Sequence, residues 1–200
     1  LRVLEEAVMR VKRAVGELGI EARICPVGSI TRDTWLPSKT DLDVFVLLST
    51  SFPEEKLGDL IIEISKRAFG SYRLRYSAHP YTRVELEGYE IDVVPAYDVR
   101  SARELRTPVD RSPLHSAYLR ERMSEELASQ ARLLKAFMRG IGAYGAEIKV
   151  GGFSGYLCEL LVLYYGSFTS VLRSAVQWRE PTLIDITGSV DPKEALLLFQ

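Results

Sequence analysis

Two aspartates separated by one residue open an apolar run that reads as a buried strand. Asp41 and Asp43 stand at the start of the segment DLDVFVLL, and the rest of that segment is apolar. Because side chains two apart in a strand face the same side, the two carboxylates lie together. Like charges repel at that separation, so a cation is expected between them. The pair predicts either a metal site or a strand-edge pair held by an arginine or lysine.

A third aspartate favours the metal site. Asp92 stands inside a second apolar segment, IDVVP. If its strand neighbours that of Asp41 and Asp43, the three carboxylates converge on one spot. Such a group suits Mg²⁺, which binds one or two protein carboxylates and completes its shell with water and phosphate. It can also hold two metals about 4 Å apart, and Asp92 is then the candidate general base for an attacking hydroxyl.

A glycine and a serine upstream of these acids fit the same chemistry. Gly28 and Ser29 precede Asp41 by a loop of eleven residues, 30–40. Glycine lets the backbone approach a phosphate closely, and serine offers its N–H and hydroxyl to phosphate oxygens. Arg32, in the same loop, is within reach of a triphosphate, and a salt bridge with Asp33 is the alternative. The segment therefore predicts a phosphate-binding loop.

The hydrophobic pattern places these residues in an α+β head that is followed by a helical region. Periodicity predicts helices over 1–18, 53–69, 116–139 and 155–179, the last with a possible break at Gly166, and strands over 21–27, 42–48, 72–78, 82–86 and 90–94. We expect the strands to pair in hairpins within a mixed, largely antiparallel sheet. The predicted domains are a catalytic head at 1–115 and a helical domain at 116–200.

Composition excludes several classes of protein. Lys and Arg number 26 against 27 Asp and Glu, a net charge of -1, so the chain is no wholesale polybasic nucleic-acid binder, although a local basic groove is compatible. No apolar run approaches the roughly 18 residues of a membrane span, and the charged N-terminus is no signal peptide. Cys25 and Cys158 make no disulfide framework, which favours a reducing cytoplasm. The apolar C-terminal segment predicts a fragment of a longer protein.

The motifs and their order resemble those of the polymerase-beta-type nucleotidyltransferases and, more narrowly, of the archaeal (class I) CCA-adding enzymes. The resemblance rests on Gly28-Ser29, Thr34-Trp35-Leu36, Asp41-x-Asp43-x-Phe45, His79-Pro80-Tyr81, Asp92-Val93-Val94-Pro95, the segment VDRSPLH at 109–115, RLLK at 132–135, YGAE at 144–147 and GFSGYLCEL at 152–160. Ser116 and Gly151 depart from the family, where a second His and an Arg are common. The chain resembles the N-terminal half of the family's members.

The resemblance implies a tRNA nucleotidyltransferase that adds C, C and A to the tRNA 3′ end without a template. CTP and ATP are the implied substrates, pyrophosphate is released, and Mg²⁺ is the implied cofactor in a two-metal mechanism. The catalytic and metal-binding residues would be Asp41, Asp43 and Asp92, and the nucleotide-binding residues Gly28, Ser29, Arg32, His115, Lys135 and Tyr144. The implied macromolecular partner is the tRNA 3′ end. No membrane association is expected, and whether the chain forms a homodimer is left open.

Several alternatives remain at this point. The chain could be another nucleotidyltransferase, such as a poly(A) polymerase or an oligoadenylate-type enzyme, or a non-catalytic RNA-binding relative. Lys135, with Arg132 beside it, is either a cationic wall that faces triphosphate or a solvated helix face. His115 is either a nucleotide contact or a capping residue. Tyr144 either stacks on a base or sugar or simply packs.

Overall fold

The computed structural model describes residues 2–37, 41–179 and 182–188. They fall into two compact units, of which the first ends at Glu121 and the second begins at Arg122. None of the helices in these residues is long and apolar enough to cross a membrane by itself. Among the described helices, one neighbouring pair, Gly155–Tyr165 with Phe168–Ala175, would pass such a test together, and it is bent by 93°.

A five-stranded mixed sheet forms the centre of the first unit. Its strands are β1 (Ala22–Val27), β2 (Asp41–Leu48), β3 (Arg73–Tyr76), β4 (Pro80–Leu86) and β5 (Tyr89–Tyr97), in the spatial order β1-β2-β5-β4-β3. The β1–β2, β3–β4 and β4–β5 pairs are antiparallel, as expected. The central β2–β5 pair is parallel, so the expectation of hairpin pairing is wrong there. A parallel pair needs a long crossover, which here contains a helix and two strands.

Two helices cover one face of this sheet. Helices α1 (Arg2–Glu17) and α2 (Leu57–Phe69) carry apolar residues at helical spacing and bury them against the strands. Leu42 and Val44 of β2 belong to this core, as does Ile91 of β5. Because side chains alternate along a strand, the intervening residues of β2 and β5 point to the opposite face. That opposite face carries the predicted site.

The helix predicted over 116–139 is two helices, so its predicted continuity is wrong. Helix α3 (Arg111–Arg120) ends the first unit, and α4 (Glu125–Gly140) lies in the second. Ser124 separates them: its backbone is extended, with φ -76° and ψ 165°, and its side chain accepts a hydrogen bond from the Leu127 N–H. This is an N-cap, and a chain that caps a new helix cannot continue the old one. The predicted domain limit at 115/116 falls inside α3.

Three helices build the described core of the second unit. Helices α4, α5 (Gly155–Tyr165) and α6 (Phe168–Ala175) enclose Ala131, Leu134 and other apolar side chains. The predicted break at Gly166 is confirmed, since Gly166 has a φ of 82° that favours glycine and ends α5. Ser167 then caps α6 by accepting from the Ser170 N–H.

Candidate active site

The predicted carboxylates stand on two adjacent parallel strands. Asp43 of β2 is directly opposite Asp92 of β5, and Asp41 is opposite Glu90. All four lie on the face of the sheet that α1 and α2 leave uncovered, because their neighbours in sequence point into the helix-covered core. The neighbouring strands that the metal interpretation requires are therefore present.

An arginine that the sequence analysis did not single out binds this row of acids. Arg83 of β4 is paired with Asp92 across the β4–β5 hairpin. Its Nε donates to Asp92 Oδ1 at 2.6 Å and its Nη2 to Oδ2 at 2.7 Å, while Nη1 donates to Glu90 Oε2 at 2.8 Å. The hydrogen-bonded Asp92, with Glu90 and Asp41 nearby, raises the pKa of Arg83 above its ordinary value. The arginine-held alternative was stated for Asp41 and Asp43, whereas Arg83 binds Asp92 and Glu90 instead.

The donor set nevertheless has the chemistry that a hard divalent cation needs. Within the described part of the chain, no three His, Cys, Asp or Glu side chains are already grouped to hold a metal. Asp43 and Asp92 still supply carboxylate oxygens at directly opposed positions, and Mg²⁺ takes only one or two such ligands. The residue types therefore fit such a cation, which would share the Asp92 carboxylate with Arg83 or replace it there.

The Gly28-Ser29 turn touches the Asp43 carboxylate. Gly28 has φ 86° and ψ 179°, a combination that is essentially restricted to glycine. A methyl carbon on Gly28 would lie 2.7 Å from Asp43 Oδ2, so only glycine lets the backbone come this close. A 3₁₀ turn follows at Ser29–Arg32, closed by a hydrogen bond from Thr31 Oγ1 to the Gly28 carbonyl at 2.8 Å. The predicted phosphate loop therefore borders the predicted metal ligands.

Arg32 is hydrogen-bonded to helix α3 at the residue that follows His115. Arg32 Nη1 donates to Ser116 Oγ at 2.8 Å, which anchors the end of the loop to the helix. Ser116 is buried and occupies the position where the family often has a second His. The adjacent His115 is partly buried, and burial, followed by the nearby Arg111 cation, lowers its pKa from 6.5. A neutral His115 at pH 7 can accept a hydrogen bond through one ring nitrogen and donate through the other.

A groove of about 310 Å³ opens beside the acids. Asp43 and Asp92 line it together with Tyr81, Arg111 and Ser112, and further apolar side chains complete the wall. Carboxylates, a guanidinium, hydroxyls and an aromatic ring on one groove suit a ligand that combines charged, polar and flat apolar parts. Arg111 and Ser112 belong to the VDRSPLH segment and Tyr81 to the His79-Pro80-Tyr81 motif, so all three had a motif as a signal. The signal for Arg83 was the register of the hairpin that it shares with Asp92.

Lys135 and Tyr144 lie close together in the second unit, where Lys135 is buried and Tyr144 partly buried. Lys135 of α4 is 1% exposed, and its Nζ donates to Glu159 Oε1 of α5 at 2.6 Å. The Tyr144 hydroxyl stands over Gly155, where a methyl carbon would lie 2.8 Å from that oxygen and 3.7 Å from Lys135 Nζ. Burial raises the pKa of Tyr144 above its ordinary value. The solvated-face alternative for Lys135 is therefore wrong, because its ammonium is enclosed.

Cys158, next to Glu159, is buried as predicted. Burial raises the pKa of its thiol to about 11, so the nucleophilic thiolate is scarce at neutral pH.

Two family models match the chain along most of its length. Residues 8–115 match the model described as a nucleotidyltransferase domain, and residues 129–198 match the second domain of tRNA nucleotidyltransferases. The first match covers more than half of the chain, which therefore belongs to the nucleotidyltransferase-domain family. Members of this family typically use divalent metal ions.

The more particular likeness is to archaeal CCA-adding enzymes. The chain is 42% identical to the CCA-adding enzyme of Archaeoglobus fulgidus over 90% of its own length and 41% of the relative's. It is 46% identical to the CCA-adding enzyme of Pyrobaculum islandicum, over 89% of the chain and 43% of the relative. It is also 46% identical to the enzyme of Pyrobaculum neutrophilum, over 94% of the chain and 46% of the relative. The predicted resemblance is confirmed, and the chain spans less than half the length of these curated relatives.

Solved structures share the fold at much lower identity. Terminal uridylyl transferase 4 from Trypanosoma brucei with bound UTP has a TM-score of 0.59 and 19% identity, over 96% of this chain and 56% of that one. CdnC of E. coli MS115-1 with ATP also has a TM-score of 0.59 and is 15% identical, over 94% of this chain and 70% of that one. At these identities the likeness concerns the fold alone, and it confirms the predicted α+β class.

Proposed function

We propose that this chain is the catalytic part of a CCA-adding tRNA nucleotidyltransferase. It would extend the tRNA 3′ end by C, C and A, take CTP and ATP as substrates, use no template and release pyrophosphate. The observation that carries the proposal is the row of Asp41, Asp43 and Asp92 on adjacent parallel strands, bordered by the Gly28-Ser29 turn. Identity of 42–46% to three archaeal CCA-adding enzymes supports the choice of substrate.

The carboxylates are proposed to hold Mg²⁺. When bound there, the cation would supply Lewis-acid stabilisation to the phosphates and to the attacking oxygen. Asp41 and Asp43 would hold it from β2 and Asp92 from β5. Asp92 is also the proposed base, whose carboxylate takes the proton of the tRNA 3′ hydroxyl. The 3′ oxygen then bonds to the α-phosphorus of the incoming nucleotide as the bond to pyrophosphate breaks.

The remaining predicted residues are proposed to hold the nucleotide. The Ser29 N–H and hydroxyl and the Arg32 guanidinium would bind the triphosphate, with Gly28 providing the close approach. His115, neutral near pH 7, would hydrogen-bond the sugar or phosphate. Lys135 would offset negative charge, and Tyr144 would contact the sugar or base. Each role is a proposal about one atom group and can be tested by a single substitution.

The test is incorporation of labelled CTP and ATP into tRNA transcripts that lack CCA or end in C or CC. The chain is compared with Asp41→Asn/Asp43→Asn, in the presence of Mg²⁺ or EDTA. Asp59→Asn is the matched control, because Asp59 is an exposed carboxylate on α2. We expect addition that stops at the CCA end, is unchanged in the control, and falls by at least about 1,000-fold in the double variant.

The products separate the alternatives. Repeated addition of A alone would identify a poly(A)-type enzyme instead of a CCA-adding one. Absence of incorporation, with tRNA still bound and no retention of CTP or ATP by the chain, would favour the non-catalytic RNA-binding relative. Activity that survives in the double variant would refute the site, because the carboxylates would then be dispensable.

A further inference from the structure

Arg83 competes with any cation for the Asp92 carboxylate. A carboxylate has two oxygens, and both Asp92 oxygens accept hydrogen bonds from this one guanidinium, at 2.6 and 2.7 Å. Such two-point, charge-assisted contacts are among the stronger hydrogen bonds in proteins. A cation that approaches Asp92 on the side of Arg83 must displace the guanidinium, and on the remaining lone pairs it still meets the repulsion of that positive charge.

Glu90 offers Arg83 a second position. It already accepts from Arg83 Nη1 at 2.8 Å, and its other oxygen accepts from Arg73 Nη2 at 2.9 Å. A guanidinium that releases Asp92 thus keeps a carboxylate partner two residues along the same strand. The exchange leaves neither a bare arginine nor a bare carboxylate.

We propose that Arg83 is a positioning residue that holds Asp92 when no divalent cation is bound and shifts to Glu90 when one binds. The inference rests on the proposed function, since it takes Asp92 as a ligand of that cation. Arg83 then has two effects. It offsets the repulsion between the opposed Asp43 and Asp92 carboxylates when no cation is bound, and it lowers the affinity of the site for the cation.

The test measures Mn²⁺ binding directly, from the electron paramagnetic resonance signal of free Mn²⁺. Arg83→Met is expected to bind Mn²⁺ about tenfold more tightly than the wild-type chain, because the competing guanidinium is gone. Arg73→Met is the matched control: it removes the same charge from a partner of Glu90, and a change of at most about twofold is expected. Arg83→Lys keeps the positive charge but not the two-point contact, and its Mn²⁺ affinity should lie between those of the wild-type chain and Arg83→Met.

Thermal unfolding supplies a second readout, the rise in Tm that Mn²⁺ causes, which a merely structural role of Arg83 would not change. A structural role predicts that Arg83→Met lowers Tm equally in EDTA and in Mn²⁺. The proposal predicts a larger loss in EDTA, and a larger Mn²⁺-induced rise in Tm than in the wild-type chain.

The outcomes separate this inference from the proposed function. Mn²⁺ binding that depends on Asp43 but is unchanged or weakened by Arg83→Met would overturn the role of Arg83 and leave the site intact. Absence of Asp43-dependent Mn²⁺ binding in both the wild-type chain and Arg83→Met would overturn the metal site, and the inference with it. Tighter, Asp43-dependent binding in Arg83→Met supports the role of Arg83, whichever nucleotide the chain incorporates.

Discussion

The buried ion pair between Lys135 and Glu159 allows a quantitative test of the second unit. Both side chains are 1% exposed, and Lys135 Nζ lies 2.6 Å from Glu159 Oε1. Glu159→Leu approximately preserves the side-chain volume but removes the carboxylate. The Lys135 ammonium then stays in a place that water does not reach and loses this partner.

The expected cost follows from desolvation. Removing one partner of a buried ion pair destabilises a protein by about 3–5 kcal/mol, because the remaining charge is still out of water. Replacing both partners, as in Lys135→Met/Glu159→Leu, is expected to fall within about 1 kcal/mol of the wild-type chain. By contrast, Glu63→Gln breaks the Arg67–Glu63 pair, whose side chains are 41% and 43% exposed, and should cost about 0.5 kcal/mol or less.

The assay is urea unfolding followed by the fluorescence of Trp178, which packs against the core of the second unit. Trp35→Phe in each variant of the second unit removes the signal of the first unit, so the two units are not forced into one transition. Glu63 lies in the first unit, so Glu63→Gln is followed by the fluorescence of Trp35 in a Trp178→Phe background. A Glu159→Leu cost below about 1 kcal/mol would refute the reasoning, as would a double variant no more stable than the single one.

Two further predictions concern the first unit. Gly28→Ala should lower the free energy of unfolding in urea by about 1–3 kcal/mol, because the φ of 86° suits only glycine and the added methyl group meets Asp43. Gly19→Ala is the control, with φ +67° and open space around the added methyl group, and should cost less. An equal loss of stability in the two variants would exclude the Asp43 contact as a cause. Burial lowers the pKa of His115 below 6.5, and the nearby Arg111 cation lowers it further. The unfolded chain therefore binds this proton more readily, so the stability that the neutral His115 contributes is complete above pH 6.5 and is lost as the pH falls through the folded-state pKa. His115→Gln should remove this part of the pH dependence, and superimposable unfolding profiles between about pH 7 and 5 would contradict it.

The local structure of the strand that carries Asp41 and Asp43 could be predicted from its sequence, whereas the identity of the strand that pairs with it could not. Alternation along DLDVFVLL was sufficient to put Asp41 and Asp43 on one face, and both lie opposite the helix-covered core. The parallel pairing with the strand of Asp92 joins segments that are far apart in the chain. Nothing in either segment specifies its partner, so the sequence could state only the condition under which the acids meet.

The break between α3 and α4 was present in the sequence but hidden by periodicity. Leu119, Met123 and Leu127 keep a four-residue spacing straight through the break, which made one helix look continuous. Ser124 followed by two glutamates is an N-cap with acids in the first helical turn, and this is the pattern that decided the structure. The cap satisfies backbone N–H groups that the apolar stripe leaves unaddressed.

Lys135 shows where charge patterns mislead. A lysine and an arginine on one helix face left a solvated surface as one interpretation. The structure instead encloses Lys135 against Glu159, a residue that stands inside the apolar segment GYLCELL. A lone acid within an apolar helix calls for a buried cation, so Glu159 was the signal that could have located its partner.

The position of Arg83 could have been read from the hairpin that carries Asp92. Glu87 and Gly88, with φ of 50° and 81°, form a two-residue turn, and such a turn pairs residues at equal distances on either side. Arg83 must then face Asp92, as it does. The arginine-held alternative was considered only for Asp41 and Asp43, but opposed carboxylates such as Asp43 and Asp92 also need a cation whether or not a metal is present. Under the proposed exchange, an arginine that passes from Asp92 to Glu90 would meet that need in the metal-free state, so the contact of Arg83 with Asp92 is compatible with a metal site.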